Sequence, residues 1–225
     1  MAAGLQPCNF HAIVARVVPP SKQLLVIACV LLLGGAWILW LSARSAGRAR
    51  DAGFWFEPVT FDSSALGGPV TAQDLETIAS IARAEVVHAF AGLPVVVSDR
   101  RDATYQVRVV QGLTDPRFRS DIEVAGASRA LSGFGGRGAI SFRLIAGHAI
   151  GYAPPGADRA TMIAAIGRGI GRAAVHEFVH EFLPTSQIHG KDIKSYEFGS
   201  AYRREQYYGD MHWDIAWPML QRQMK

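Results

Sequence analysis

An uninterrupted apolar run near the amino terminus limits what this chain can fold into more than any other feature of its sequence. Leu24 to Leu41 are 18 consecutive residues without a charged or strongly polar side chain. A helix rises about 1.5 Å per residue, so the run would span roughly 27 Å, close to the hydrocarbon thickness of a bilayer. Trp37 and Trp40 lie towards one end, where interfacial tryptophans are common. We therefore expect one transmembrane helix over residues 24–42, with the lipid bilayer as its partner.

Two kinds of processing signal fit the run less well. A secretory signal peptide has a shorter apolar region and a small-residue cleavage site, and no such site follows the run. Cys29 superficially fits a lipidation box, but the apolar stretch before it is too short and the stretch after it too long. A membrane anchor is the better interpretation of the run.

The basic residues that flank the run do not settle its orientation. They are nearly balanced between its two sides, with Arg16 and Lys22 before it and Arg44, Arg48 and Arg50 after it. The positive-inside rule needs an imbalance to fix the topology. We expect an extracytoplasmic domain, chiefly because of the chemistry inferred below for the rest of the chain.

The composition of the chain excludes several classes of protein. Of its 225 residues, 49% are hydrophobic and 19% charged, which is enough apolar material for a core and excludes wholesale disorder. Cys8 and Cys29 both precede residue 30, which excludes a disulfide scaffold for the rest of the chain. The net charge is only +4 and the arginines are scattered, so we expect no nucleic-acid partner.

The chain divides around the apolar run into a tail, a linker and one domain. Residues 1–23 form the amino-terminal tail, and residues 43–53 are small, polar and basic, as is typical of a juxtamembrane linker. The remainder, residues 54–225, is long enough for one domain. It opens with an aromatic segment at residues 54–61, interrupted by Pro58, which we expect to be an edge strand or a docking segment.

Hydrophobic periodicity predicts two long helices with strands between them. Apolar residues recur at helical spacing over residues 71–91 and again over residues 158–183. Gly167 and Gly171 lie one turn apart on the second helix, and glycine costs about 1 kcal/mol in a helix interior, so we expect close packing against a neighbour there. The intervening segment predicts an irregular excursion at residues 111–138 and three short strands, at residues 95–97, 104–110 and 140–145.

The second helix carries the sharpest chemical signal, His176-Glu177-Phe178-Val179-His180. The two histidines are four residues apart, about one helical turn, so both imidazoles can point at one ion. Glu177 then stands beside the ion without binding it, where it can take a proton from a metal-bound water and deliver it to a leaving amine. Zinc lowers the pKa of its water to about 7, which makes hydroxide available at neutral pH.

This motif is more specific than its length indicates. A chain of this length would contain it by chance on the order of 1% of the time, and here it lies on a strongly predicted helix with further potential ligands soon after it. The simpler alternative is a pair of exposed helix histidines, with Glu177 and Glu181 as a solvated acidic edge.

At these residues the chain resembles the zincin metalloproteases. The order of helix 71–91, the short strands and the motif helix is also similar to the upper half of a metzincin. The resemblance implies an α+β, zincin-like domain with a small mixed sheet, a catalytic zinc ion and a protein or peptide substrate. The strict metzincin pattern H-E-x-x-H-x-x-G-x-x-H fails, because Leu183 stands at its glycine position and Ser186 at its third histidine position.

The third metal ligand is open between two principal candidates. His189 follows His180 by nine residues, and a chain reversal after the helix would return it to the metal, so we favour it. Glu197 is the competing ligand, since gluzincins take a glutamate from a following helix at a similar but unequal spacing. Asp192 and His212 are lesser candidates.

The carboxy-terminal tail is rich in polar aromatic residues, most of which we expect to be packed with their hydroxyls satisfied. Tyr208 and His212 are our candidates for donating a hydrogen bond to the oxyanion that forms when water attacks a carbonyl. Met211 is a candidate for the methionine that lies beneath the metal in metzincins. Arg203 and its neighbours are interpreted as surface charges or as supports for the site.

Two rival interpretations come from other classes. Glu85 and His88 repeat the Glu-x-x-His spacing of Glu177 and His180, which could indicate a di-iron helix bundle. That site needs a glutamate from each of two further helices, and the strand-like stretches leave no room for them. The second rival is a non-catalytic, anchored scaffold with a structural metal. Our prediction is a zinc metallopeptidase with Glu177 as general base.

Overall fold

The computed structural model of the chain describes residues 49–63, 66, 69–115, 123–130, 135–183 and 186–225. These residues belong to the second of two compact units, Gly47–Lys225. The predicted transmembrane helix, residues 24–42, lies outside the described residues. Among the residues that are described, no helix combines the length and the apolar character needed to cross a membrane.

Five strands and five α-helices make up the described part of the chain. The strands are β1 (Arg50–Phe56), β2 (Val95–Ser98), β3 (Tyr105–Val110), β4 (Gly126–Ala130) and β5 (Gly136–Ser141). The helices are α1 (Ala72–Ala89), α2 (Phe142–Gly151), α3 (Arg159–Phe182), α4 (Glu205–Tyr208) and α5 (Ala216–Gln223). The predicted α+β class is therefore confirmed.

The strands form one mixed sheet in the order β2-β1-β3-β5-β4. All neighbours are parallel except β4, which runs antiparallel to β5 and forms one edge of the sheet. Helix α3 packs against β3, β4 and β5, and it also packs along α1. The motif helix is thus held between the sheet and a second long helix.

Both long helices begin at side-chain caps and meet through glycine. The Thr71 hydroxyl caps α1 in a capping box with Asp74, and the Asp158 carboxylate caps α3. A Cβ at Gly167 would lie 2.8 Å from the Ile81 side chain, and one at Gly171 would lie 2.6 Å from a backbone oxygen of α1. The expected close packing at these two glycines is confirmed.

Two features of the amino-terminal half differ from the prediction. Strand β1 begins at Arg50, so it includes the last residues of the segment assigned to the linker. It lies between β2 and β3, and is therefore an interior strand of the sheet and not an edge strand. Its buried residues Ala52 and Phe54 explain this position, since both are at most 1% exposed.

The predictions for residues 111–138 and 140–145 are wrong. The first segment contains β4 and the start of β5, and the second is mostly helix. Helix α2 begins at Phe142 because the Ser141 hydroxyl accepts a hydrogen bond from the Leu144 backbone N–H and so caps it. The apolar residues after Ser141 therefore follow a helical and not a strand period.

Candidate metal centre

Helix α3 places His176 and His180 one turn apart on the face that lines an open cleft. Their Nε2 atoms lie 3.1 Å from each other. The separation of four residues is what directs both rings to one point, because residues four apart share a helix face. Both side chains are half-buried.

His189 reaches the same point from the segment after the helix. A short turn, Ser186–Ile188, follows α3, and Ile188 is fully buried in the core. This anchor holds the next residue against the helix, and the His189 Nε2 lies 3.1 Å from the His180 Nε2. The ligand atoms of the three histidines all lie within 4.8 Å of one another.

The convergence of three ring nitrogens fits a bound cation. Two nitrogens that bind a tetrahedral ion at about 2.0 Å lie roughly 3.3 Å apart, close to both separations that involve His180. The His180 Nε2 can carry only one proton, so it cannot form two well-aligned hydrogen bonds to its two neighbours. Three lone pairs around one cation satisfy the arrangement, and imidazole nitrogen is a preferred ligand of zinc.

The His176 ring is oriented by a backbone carbonyl. Its Nδ1 lies 3.0 Å from the Tyr196 carbonyl oxygen, so this nitrogen carries the proton and the Nε2 presents its lone pair to the cluster. Burial of the ring, followed by the neighbouring His180, lowers the pKa of His176 to about 3. His176 is therefore neutral near pH 7, which is the form that binds a metal.

Tyr196 is itself fixed by an ion pair between the two long helices. Its hydroxyl donates to the Glu85 carboxylate at 3.1 Å, and the Arg172 Nε donates to the same oxygen at 2.9 Å. Arg172 also donates to the backbone carbonyls of Glu205 and Gly209 at 2.8 and 2.9 Å. Glu85, singled out above for a di-iron site, thus supports the histidine cluster from behind, while His88 is exposed on the flank of α1.

Glu177 lies in the same cleft and beside the sheet edge. It is 7% exposed and lines the cleft together with the three histidines. A Cβ at Gly126 of β4 would lie 2.4 Å from a Glu177 carboxylate oxygen. Strand β4 can therefore approach the acid this closely only because it has glycine at this position.

Glu181, one turn after Glu177, is a buried acid that points into the sheet. It is 3% exposed, and its Oε2 accepts a hydrogen bond from the Gln106 backbone N–H at 3.1 Å. Burial and, to a smaller extent, the charge of Glu177 raise the pKa of Glu181 to about 9 despite the Gln106 bond. This side chain is therefore a neutral acid at pH 7, and it does not belong to the solvated acidic edge of the simpler alternative.

The cleft is large and has a strand along one side. Its volume is about 840 Å³, within the range of ligand sites. One side is formed by residues 123–130, which include all of β4. Among the described residues no further strand pairs with β4 beyond β5, so a free strand edge faces the cleft. The other side is formed by α3, His189 and the segment from Tyr196 to Gln206.

Several predicted site residues lie elsewhere. The Tyr208 hydroxyl donates to the Ala149 carbonyl at 2.8 Å, and the His212 Nε2 lies 3.2 Å from the Asp192 carboxylate. Neither Tyr208 nor His212 is among the residues that line the cleft, so the structure does not bring them to the histidines, and their oxyanion role stays a prediction. Met211 packs half-buried against the core and does not line the cleft either.

Glu197 is also placed away from the histidines. It is fully buried, and its carboxylate accepts hydrogen bonds from the backbone N–H groups of Asp214 and Ala216, the latter at 2.8 Å. Ala216 begins α5, and a carboxylate is stabilised at a helix amino terminus. Glu197 thus fixes the last helix.

Three further polar residues line the cleft, namely Arg172, Arg203 and Gln206, and of these only Arg203 could be singled out from the sequence, as a surface charge or a support for the site. Arg172 belongs to a helix pattern, and the other two lie in a run of charged and polar residues typical of a surface.

Comparisons with protein-family models, with curated proteins and with solved structures find no match to this chain.

Proposed function

We propose that this chain is a zinc-dependent peptidase. The observation that carries the proposal is the convergence of His176, His180 and His189 in an open cleft with Glu177 beside them. Structural zinc sites have four protein ligands and are closed, whereas catalytic sites keep one position open. Three histidines in a solvent-accessible cleft match the second description.

The roles of the residues follow from their chemistry. The three histidines would hold the zinc ion, which supplies Lewis acidity and lowers the pKa of a water molecule. Glu177 takes the proton of the attacking water and passes it to the nitrogen of the leaving amine. The Tyr196 carbonyl keeps the His176 ring in the tautomer that binds the metal.

A peptide is the substrate that the walls of the cleft favour. The free edge of β4 presents backbone N–H and C=O groups along the cleft, and an extended peptide can pair with such an edge as an added strand. This pairing would hold a peptide bond alongside Glu177, because Gly126 of β4 is in contact with that carboxylate.

The decisive experiment replaces Glu177 with glutamine in the full-length chain. We expect zinc content to stay at one ion per chain and hydrolysis of a mixed peptide library to fall by at least a hundredfold. Glu76→Gln, an exposed acid on α1, is the matched control and should leave both quantities unchanged. Zinc is measured by elemental analysis and cleavage by mass spectrometry.

Two results would contradict the proposal. Loss of zinc in Glu177→Gln would make Glu177 a ligand and not a base. A wild-type protein that binds zinc but cleaves no peptide would instead support the non-catalytic scaffold with a structural metal.

We also propose, from the apolar run, that residues 24–42 anchor this domain to a membrane. The proposed peptidase chemistry favours the extracytoplasmic side for the domain.

A further inference from the structure

Two buried guanidinium groups lie in the wall of the cleft next to the histidines. Arg172 and Arg203 are each 6% exposed, and both line the cleft. A buried charge destabilises the fold unless an opposite charge compensates it. The two arginines differ in whether such a partner is present.

Arg172 is compensated within the protein. Its Nε lies 2.9 Å from the Glu85 carboxylate, and both side chains of this pair are largely buried. The positive charge of Arg172 is therefore matched inside the fold.

Arg203 has no such partner among the described residues. It donates to the backbone carbonyl of Ile193 and to the side-chain oxygen of Gln206 at 2.9 Å, and the Phe198 ring lies 4.9 Å below its guanidinium carbon. These partners are neutral, and the guanidinium forms no salt bridge with a described carboxylate. Its Nε is buried and has no hydrogen-bond partner within the described part of the chain.

Arg203 nevertheless remains charged near pH 7. Burial lowers its pKa to about 10, and the more distant acids Glu205 and Asp192 oppose this shift. Arg203 and His176 line the same cleft. A positive charge that forms no salt bridge with a described carboxylate thus lies in the wall of the cleft that His176 also lines.

We infer that Arg203, oriented by Gln206, binds a carboxylate of the substrate close to the bond that is cleaved. This inference rests on the proposed function, because it takes the ligand of the cleft to be a peptide. A carboxylate accepts two parallel hydrogen bonds from a guanidinium, and it would supply the missing negative charge. In a peptide that group is either the side chain of Asp or Glu or the carboxyl terminus.

The test measures binding without turnover, in the zinc-loaded Glu177→Gln chain. The ligands are pairs of fluorescent peptides that differ only in having Glu or Gln at one position. Successive pairs place that position at each site along the peptide. Every peptide is made both with a free and with an amidated carboxyl terminus. We expect one position at which Glu binds at least tenfold more tightly than Gln. A preference for the free terminus, independent of the Glu position, would identify the terminal carboxylate as the ligand.

Two further substitutions in the same chain assign the preference to Arg203. Arg203→Gln removes the charge. Gln206→Glu keeps the arginine and its packing but places a carboxylate beside it, so this variant is the test if Arg203→Gln does not fold. Both should reduce the carboxylate preference to less than twofold while zinc content is retained. Arg108→Gln, an exposed arginine of β3, is the control and should keep the preference.

The inference is overturned if the Glu177→Gln chain, with Arg203 and Gln206 intact, binds acidic and neutral peptides equally. It is also overturned if the preference for the acidic peptide survives both substitutions. Failure of the proposed function is a separate result. In that case the wild-type chain cleaves no peptide. The binding preference is measured separately in the Glu177→Gln chain, so it can be present or absent whatever the result for cleavage.

Discussion

Glu181 is a carboxyl group that the fold keeps in its acid form. It points away from the cleft into the sheet, where Gly136 provides the space, since a Cβ there would lie 2.3 Å from the Glu181 side chain. Its pKa of about 9 in the folded chain, set chiefly by burial, lies above the ordinary value of 4.5. Between these two values the folded chain binds a proton that the unfolded chain releases, so stability must fall as the pH rises.

Replacing Glu181 with glutamine should remove this pH dependence. For the metal-free protein, we expect the free energy of unfolding of Glu181→Gln to exceed that of the wild type increasingly from pH 5 to pH 8, by on the order of 1 kcal/mol per pH unit. Urea denaturation at four pH values measures the difference, with Glu76→Gln as the control. A difference that does not change with pH would mean that Glu181 is ionised in the fold.

The third metal ligand can be decided by comparing His189 with Glu197. Replacing His189 with alanine should weaken zinc binding by more than a hundredfold, because loss of a direct ligand costs more than loss of its supports. Glu197→Gln should leave zinc affinity unchanged but destabilise the fold by about 1–3 kcal/mol, since its bonds to Asp214 and Ala216 lose their charge. Competition with a chromophoric chelator gives the affinity, and thermal unfolding gives the stability. The reverse pattern would make Glu197 the ligand.

At the scale of elements, the geometry of the histidine cluster depends on how α1 and α3 are joined. The Glu85 carboxylate of α1 receives bonds from Arg172 of α3 and from Tyr196, whose carbonyl orients His176. Gly171 permits this contact, because a Cβ there would lie 2.7 Å from the Cβ of Glu85. A residue on a neighbouring helix is thereby connected to His176 through one tyrosine.

Glu85→Gln should therefore weaken zinc binding without removing a ligand. We expect a loss of roughly tenfold in zinc affinity, the usual effect of disturbing a group that orients a ligand. The neutral amide leaves Arg172 buried without its counter-ion, so the free energy of unfolding should also decrease. Glu76→Gln on the same helix is the control, and isothermal titration with zinc is the measurement. Unchanged affinity together with lowered stability would limit Glu85 to a structural role.

Periodicity could predict the elements that pack against their neighbours through their own apolar side chains. Helices α1 and α3 were predicted to within two residues at each end because their apolar faces pack on the sheet and on each other. Strands β4 and β5 could not be predicted in the same way. They have glycine where acids of α3 approach them, Gly126 at Glu177 and Gly136 at Glu181, and so show no apolar alternation.

The candidate site was accessible from the sequence only where spacing within one helix determined it. His176, Glu177 and His180 could be identified together because one turn of helix brings them together. His189 could be favoured but not chosen, because its position depends on the burial of Ile188, a tertiary contact. Arg203 could be interpreted only as a surface charge or a support for the site, since nothing in its local sequence indicates that the chain folds it into the cleft wall.

At the scale of the whole domain, the cleft lies between two parts of the chain that are distant in sequence. The sheet edge comes from residues 123–130, and the opposite wall comes from residues 172–206. Helix α3 belongs to both the core and the cleft, since its residues Phe178 and Phe182 are buried while His176 and His180 face the opening. The rigidity of the core is thus passed directly to the histidines, which favours a preorganised site.

At the scale of all 225 residues, the apolar run predicts stable membrane attachment. Lysine at the centre of a transmembrane helix costs about 3 kcal/mol, so the double substitution of Leu31 and Leu32 by lysine should release the protein from membranes. The wild-type chain should stay in the pellet after an alkaline wash, as should a control with lysines at Ala43 and Ala46, outside the run. Protease added to intact cells should digest residues 54–225 if the domain is extracytoplasmic. A wild-type chain in the wash supernatant would refute the membrane anchor. Full protection of residues 54–225 from protease would mean that the domain lies on the cytoplasmic side.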